Sequence, residues 1–233
     1  MGHSLEDALE ALSNAADRPD ELSLPFVELF PITGAAVSTI GALLGSETVS
    51  ASDSQAARLD ELQFDLGEGP CWDAMAQDTP ILEPDLRRNP RGRWPAFSAA
   101  VSTEDVSSLF AFPLVLGTLR IGAIDLYSRE STNLTQEQSR QAGTMAEQVS
   151  RHVLRHALDS IGVDEPTGAH SRRLIHQATG MVLAQLRVPA DDARLIIQGH
   201  AFSEERPMME VAQDIVDRKL NFTRGAAGIE ASS

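Results

Sequence analysis

At 233 residues the chain exceeds one average domain, and 42% hydrophobic content gives it a core that a disordered acidic chain lacks. A net charge of −15 argues against wholesale attraction to nucleic acid, and a single cysteine, Cys71, excludes an internal disulfide, a CxxC motif and a thiolate zinc site. The longest uncharged run, residues 29–46, holds Pro31 and three glycines, which suits a strand and its turns better than a membrane span of ~20 apolar residues. With no basic-then-apolar leader, the chain reads as cytoplasmic with no membrane partner.

The first segment, "LEDALEALSNAAD", sets Leu5, Ala8, Leu9 and Leu12 on one helical face ahead of Pro19. A short helix over 24–29 follows. "GAAVSTI" and "ETVSASD" read as two strands joined by a turn near Gly45 and Ser46. "SQAARLDELQ" is a helix, and "GEGPCWDAMAQD" starts another with Pro70 in its first turn. Strand-like "PILEP" leads into "DLRRNPRGRWPAF", whose Pro, Gly and Arg mark a loop. "SSLFAFPLVLGTLRIGAIDLYS" predicts two long apolar strands in a hairpin around Gly117. Strands with interspersed helices make an α+β domain on an antiparallel sheet.

A long helix is expected over 135–159, with Ala142, Ala146, Val149, Val153 and Ala157 on one small-sided seam. That seam suits either a second helix or the first domain's own sheet. "GVDEPTGAH" reads as a linker within 159–170. Beyond it the period is helical only. One helix spans 172–187. A second follows Pro189 with Ala193, Ile196, Ile197, His200 and Ala201 on its stripe. A third follows Pro207 with Met208, Val211, Ala212, Ile215 and Val216, extended by Leu220. Such a three-helix bundle is marginal by size and calls for support. The tail, 223–233, shows nothing to bury and is expected to be disordered.

Charge divides along the same boundary. Residues 1–167 hold 11 Lys+Arg against 26 Asp+Glu, whereas 168–224 hold 8 against 7. Any nucleic-acid role therefore falls to the last third. No catalytic pattern emerges: "GEGPCW" lacks the third glycine of a dinucleotide fingerprint, and P-loop, GxSxG and HExxH motifs are missing. No metal or cofactor is expected, and the chain reads as a non-enzyme. Lys219, the sole lysine, lies in the final helix, so the first domain lacks the lysine of a phosphoreceiver domain. Cys71 is either a buried small hydrophobe or a thiolate favoured near a helix N-terminus.

"IHQATGMVLAQL", "DDARLIIQGHAF" and "RPMMEVAQDIVDRKLNF" resemble, in order and spacing, the ANTAR domain of bacterial transcription antiterminators. The matched positions are Ala178 and Gly180, Ala193 and Ala201, and Val211, Ala212 and Val216. "LPFVELFPITGAAVSTI", "DLGEGPCWDAM", "RWPAF" and "FPLVLGTLRIGAIDLYS" resemble the GAF domain fused to ANTAR in one bacterial subfamily. With the N-terminal helix segment set apart as 1–21, the resemblance implies an α+β GAF sensor over 22–158 with its antiparallel sheet flanked by helices, and an all-α three-helix ANTAR bundle over 171–222. It implies a homodimer that holds paired RNA stem-loops so that a terminator hairpin does not form. Gln198 departs from the subfamily, which carries a basic residue there.

Within that frame the RNA-contacting candidates are Arg172, Arg173, His176, Gln177, Thr179, Gly180 and Arg187. Small side chains at Ala178 and Gly180 would admit close approach of RNA or of a packing helix, and the arginines would meet phosphates. Arg206, Arg218, Lys219 and His200 rank behind them, His200 on the apolar stripe. Trp72, Trp94, Phe97 and Tyr127 are candidates to line a pocket for a small-molecule ligand in the GAF domain. The alternatives are a DNA-binding regulator using the bundle as a helix-turn-helix, a redox or thiol sensor built on Cys71, and a pure protein-interaction module.

Overall fold

Two long strands organise the first unit of the computed structural model, which describes residues 4–40, 44, 46–88, 92–159, 173–204, 206–225 and 228–232. They are β4 (Ser108–Leu116) and β5 (Leu119–Ser128), paired antiparallel so that Leu116 faces Leu119 across Gly117 and Thr118. Gly117 sits at φ 63°, the left-handed backbone that a two-residue hairpin turn requires at its first position. The remaining elements of this unit, Met1–His170, are α1 (Leu5–Asn14), α2 (Leu24–Leu29), β1 (Gly34–Thr39), β2 (Glu47–Ala51), α3 (Ser54–Leu66), α4 (Pro70–Gln77), β3 (Ile81–Glu83), α5 (Pro95–Val101) and α6 (Gln136–Asp159). Single turns of 3-10 helix occupy Pro19–Glu21 and Leu86–Arg88. The sheet is antiparallel throughout, in the order β2-β1-β5-β4-β3.

Both faces of this sheet are covered, so alternation along β4 and β5 sorts side chains into two cores rather than into core and solvent. Phe110, Phe112, Leu114, Ile124 and Leu126 pack with α1, α2 and α6. Leu109, Ala111, Ala123 and Tyr127 pack with α3, α4 and α5. The seam of α6 belongs to the first core: Ala142, Met145, Ala146, Val149 and Val153 are buried against it. Of the two roles open to that seam, the sheet takes it. Helix α5 was not foreseen, because its opening lies inside the Pro-Gly-Arg stretch; Pro95 occupies its first turn, behind Trp94 at φ 54°.

The second unit, Ser171–Ser233, contains α7 (Arg173–Leu186), α8 (Ala190–Ser203), α9 (Met208–Val216), β6 (Asn221–Gly225) and β7 (Gly228–Ser232). Its core is formed by Ile175, Ala178, Val182 and Leu186 of α7, Ala193, Ile197 and Ala201 of α8, and Met208, Val211, Ala212 and Ile215 of α9. On α8 and α9 these residues lie on the stripes that the period of the sequence marked, while Ile196, His200 and Val216 of the same stripes are half-buried. The closing residues differ from the expectation of disorder. β6 and β7 pair antiparallel from Asn221–Ser232 to Gly225–Gly228. Phe222, the last residue of the expected bundle, is 3% exposed, and its ring meets His200 edge-on at 5.4 Å. Gln185 fixes the hairpin to α7 by donating to Asn221 Oδ1 (3.1 Å) and accepting from the Phe222 N–H (3.0 Å).

Candidate nucleic-acid interface and sensor cavity

Helix α7 carries no aspartate or glutamate, and no acid occurs anywhere in residues 166–190. On a chain of net charge −15 this is the longest acid-free run, the stretch whose own residues repel a phosphate backbone least. Residues 177, 180, 184 and 187 follow one another at helical spacing of three and four, and all four are exposed. His176 and Leu183 flank this line and are exposed as well.

Ala178 and Gly180 do not share a flank, as the sequence reading had paired them. Two residues apart on a helix of 3.6 residues per turn, they point to opposite sides. Ala178 is fully buried and lets α7 approach its neighbours. Gly180 is exposed, and a Cβ built there would meet no heavy atom within 4 Å. Internal packing therefore gives no reason for glycine at the middle of this helix. Thr179 is half-buried and its hydroxyl donates to the Ile175 carbonyl (2.7 Å), so it serves the helix itself.

The remaining candidates divide. Arg172 lies outside the described residues, as does the side chain of Arg173, which begins α7. Gln177 is exposed. His176 is exposed at its rim, yet partial burial of the ring, aided by nearby Arg194, holds its pKa below the ordinary histidine value. It is neutral at pH 7 and keeps a flat face suited to stacking. Arg187 is exposed at φ 54° just past the helix, its N–H donating to the Leu183 carbonyl (2.8 Å), and its side chain makes no ion pair among the described residues. Arg206 is committed elsewhere, to Asp214 at 2.7 Å and Glu210 at 3.5 Å, and these carboxylates raise its pKa. Lys219 pairs with Asp217 at 2.8 Å. Sequence reasoning missed the outward face of α8, where Leu195 is 62% and Phe202 69% exposed. The period left Leu195 and Phe202 off the buried stripe, but it gave no role to apolar side chains on the outward face.

In the first unit the expected pocket residues are filled rather than open. Trp94, Phe97 and Tyr127 are buried in the second core. Trp72 donates to the Gln63 carbonyl (2.7 Å) and stacks on Phe64. The Tyr127 phenol donates to Asp53 Oδ1 (3.1 Å), and burial with that carboxylate pushes its pKa up to about 12. Beside them runs a buried polar chain. The Gln63 amide donates to Asp125 Oδ2 and accepts from the Cys71 N–H (2.9 Å). Burial, reinforced by nearby Asp60, raises the Asp125 pKa well above the carboxylate range, against the Gln63 bond. Cys71 itself is 1% exposed, which leaves a thiol sensor without access.

An open cavity of about 510 Å³ lies next to this core, between the turn Leu86–Arg88, α5 and the segment 104–106. Its lining includes Arg87, Arg93, Ser98, Ser102 and Glu104, and none of the four expected aromatic residues.

Residues 20–153 match the family model of the GAF domain, and residues 167–216 that of the ANTAR domain. The chain is a GAF–ANTAR protein. The first unit is similar to the GAF domain of a phosphoenolpyruvate-protein phosphotransferase from Coxiella burnetii, with a TM-score of 0.51 at 12% identity, over 67% of this chain and 96% of that one. It is also similar to the GAF domain of the corresponding protein from Acinetobacter, with a TM-score of 0.52 at 9% identity, over 70% and 95%. At such identity the likeness establishes the fold alone. No curated protein matches the chain. Both domains of the GAF–ANTAR pair are regulatory in kind, and among the described residues no helix is long and apolar enough to cross a membrane.

Proposed function

We propose that this GAF–ANTAR protein is a cytoplasmic transcription antitermination regulator. Acting as a homodimer, it holds two stem-loops of a nascent transcript with its two ANTAR units. The GAF unit senses a small molecule and sets whether both stem-loops are held together. The observation that carries this reading is the acid-free α7, with its exposed line through Gln177 and Gly180 to Arg187. RNA hairpin loops present splayed bases and a shaped backbone, which are read by close approach and stacking. An open glycine, a neutral histidine and a helix-end arginine fit that surface.

Each ANTAR unit offers few unpaired cations, so one stem-loop is held modestly. Linking two such contacts raises the effective concentration of the second. Binding of the full chain to an RNA with both stem-loops is therefore expected to exceed binding to either alone by far more than twofold. Equal affinity for one and two stem-loops refutes the paired mode. Duplex DNA is expected to compete poorly, because Asp191 and Asp192 open α8 and Glu210 lies in the first turn of α9, where phosphates of a groove would approach. Competition as effective as that of structured RNA would favour a DNA-binding regulator instead.

A further inference from the structure

The cavity beside α5 is unusual in charge. Residues 1–167 hold 26 acids and 11 basic residues, and four of those eleven, Arg87, Arg88, Arg91 and Arg93, fall within seven positions. Two of the four, Arg87 and Arg93, line the cavity together with Ser98 of α5 and Ser102 just past its end, whose hydroxyls donate to the Arg93 (3.2 Å) and Ala99 (2.6 Å) carbonyls. The one lining carboxylate is engaged elsewhere: Glu104 accepts from Gln55 (3.0 Å) and faces Arg58 at 3.7 Å, both on α3. Arg93 is held in place, with its guanidinium 4.4 Å over the Trp94 ring and 3.5 Å from Glu83. Arg87 is exposed at the rim and makes no ion pair among the described residues.

We propose that this cavity is an anion-binding site of the sensor unit, taking a small molecule that carries a phosphate or carboxylate group. Its volume of about 510 Å³ falls within the range of small-molecule sites. A planar guanidinium fixed by stacking on one side and a second at the mouth supply charge-assisted donors to one set of oxygens. No strand residue contributes, so the site is separate from the buried Gln63–Asp125 chain on the sheet. This inference rests on reading the first unit as a sensor and does not depend on RNA.

The test is calorimetric titration of the full chain with sodium pyrophosphate and, separately, sodium succinate, each against sodium chloride at matched ionic strength. Saturable binding of at least one is expected, with pyrophosphate alone marking a phosphate ligand and succinate alone a carboxylate. Arg87→Gln, at the exposed rim, is expected to weaken that binding tenfold or more. Arg93→Gln should do the same, and Arg88→Gln, outside the lining, should not. Tryptophan emission should shift in parallel as the contact over Trp94 changes. The absence of saturable binding of either anion, or equal affinity in Arg87→Gln and the unaltered protein, overturns the proposal. RNA affinity measured on the same variants without anion is expected to be unchanged, which separates failure of this site from failure of the RNA reading.

Discussion

Replacing Gly180 by alanine sets two measurements in opposition. Gly180 is the eighth of the fourteen residues of α7, and a Cβ there meets nothing within 4 Å. Alanine therefore adds helix propensity without a clash, worth about 1 kcal/mol in a helix interior. The amides of α7 should exchange with solvent roughly fivefold more slowly, because 1.4 kcal/mol corresponds to a factor of ten. The same methyl group would stand where an RNA surface approaches the helix, and loss of one base contact costs about 1–3 kcal/mol. RNA affinity at fixed salt should fall by roughly fivefold or more, and further in Gly180→Leu. Hydrogen exchange and filter binding on the same preparations decide the matter. A stabilised helix with unchanged RNA affinity refutes the placing of Gly180 at the interface.

Arg187 gives a related contrast. Arg187→Gly relieves a left-handed residue and should stabilise the second unit by about 1 kcal/mol, whereas Arg187→Gln should not. Both should reduce the slope of log affinity against log salt by about one, if the guanidinium meets a phosphate. Asp125→Asn tests the buried chain. A carboxyl whose folded pKa is raised keeps its proton while the unfolded chain ionises, so stability falls by up to about 1.4 kcal/mol per pH unit above pH ~4, until the folded pKa is passed. The variant lacks that loss, so it should gain on the parent in denaturant melts as the pH is raised above ~4 toward the folded pKa; parallel pH profiles would show that Asp125 ionises normally. Gly122→Ala should destabilise the first unit by about 3 kcal/mol or more, since the added methyl meets the Ser38 carbonyl oxygen on the paired strand. A melting temperature equal to the parent's would contradict that register.

The stripes of α8 and α9 were legible because each helix repeats its apolar residues at three and four, and most residues marked in that way are buried, with Ile196, His200 and Val216 half-buried at the edges. The hairpin around Gly117 was legible from a left-handed turn residue between two apolar runs. Other features depend on partners distant in sequence. Ile229 is one apolar residue in a polar tail, and no local pattern announces that the tail pairs as a hairpin or that Phe222 at its root lies against His200. Helix α5 hides behind Trp94, whose left-handed backbone is not written in its residue type. The seam of α6 fitted two neighbours equally well by size, and only the sheet's own uncovered face decided between them. Within the candidate interface, size alone paired Ala178 with Gly180, and the rotation of the helix separated them. The cavity arginines stood in a stretch whose composition signalled a loop, so their convergence with Ser98 and Ser102 was invisible without α5 in place.

The hairpin behind α9 carries a practical lesson for dissecting the molecule. The ANTAR match ends at residue 216, four residues before Leu220 and six before Phe222, which are 8% and 3% exposed. A fragment trimmed to the family limits would strip both plugs and leave the Gln185 amide without its latch. Chimeras that graft only the helical trio onto another sensor would then melt early, and their silence would report a missing lid rather than a missing signal.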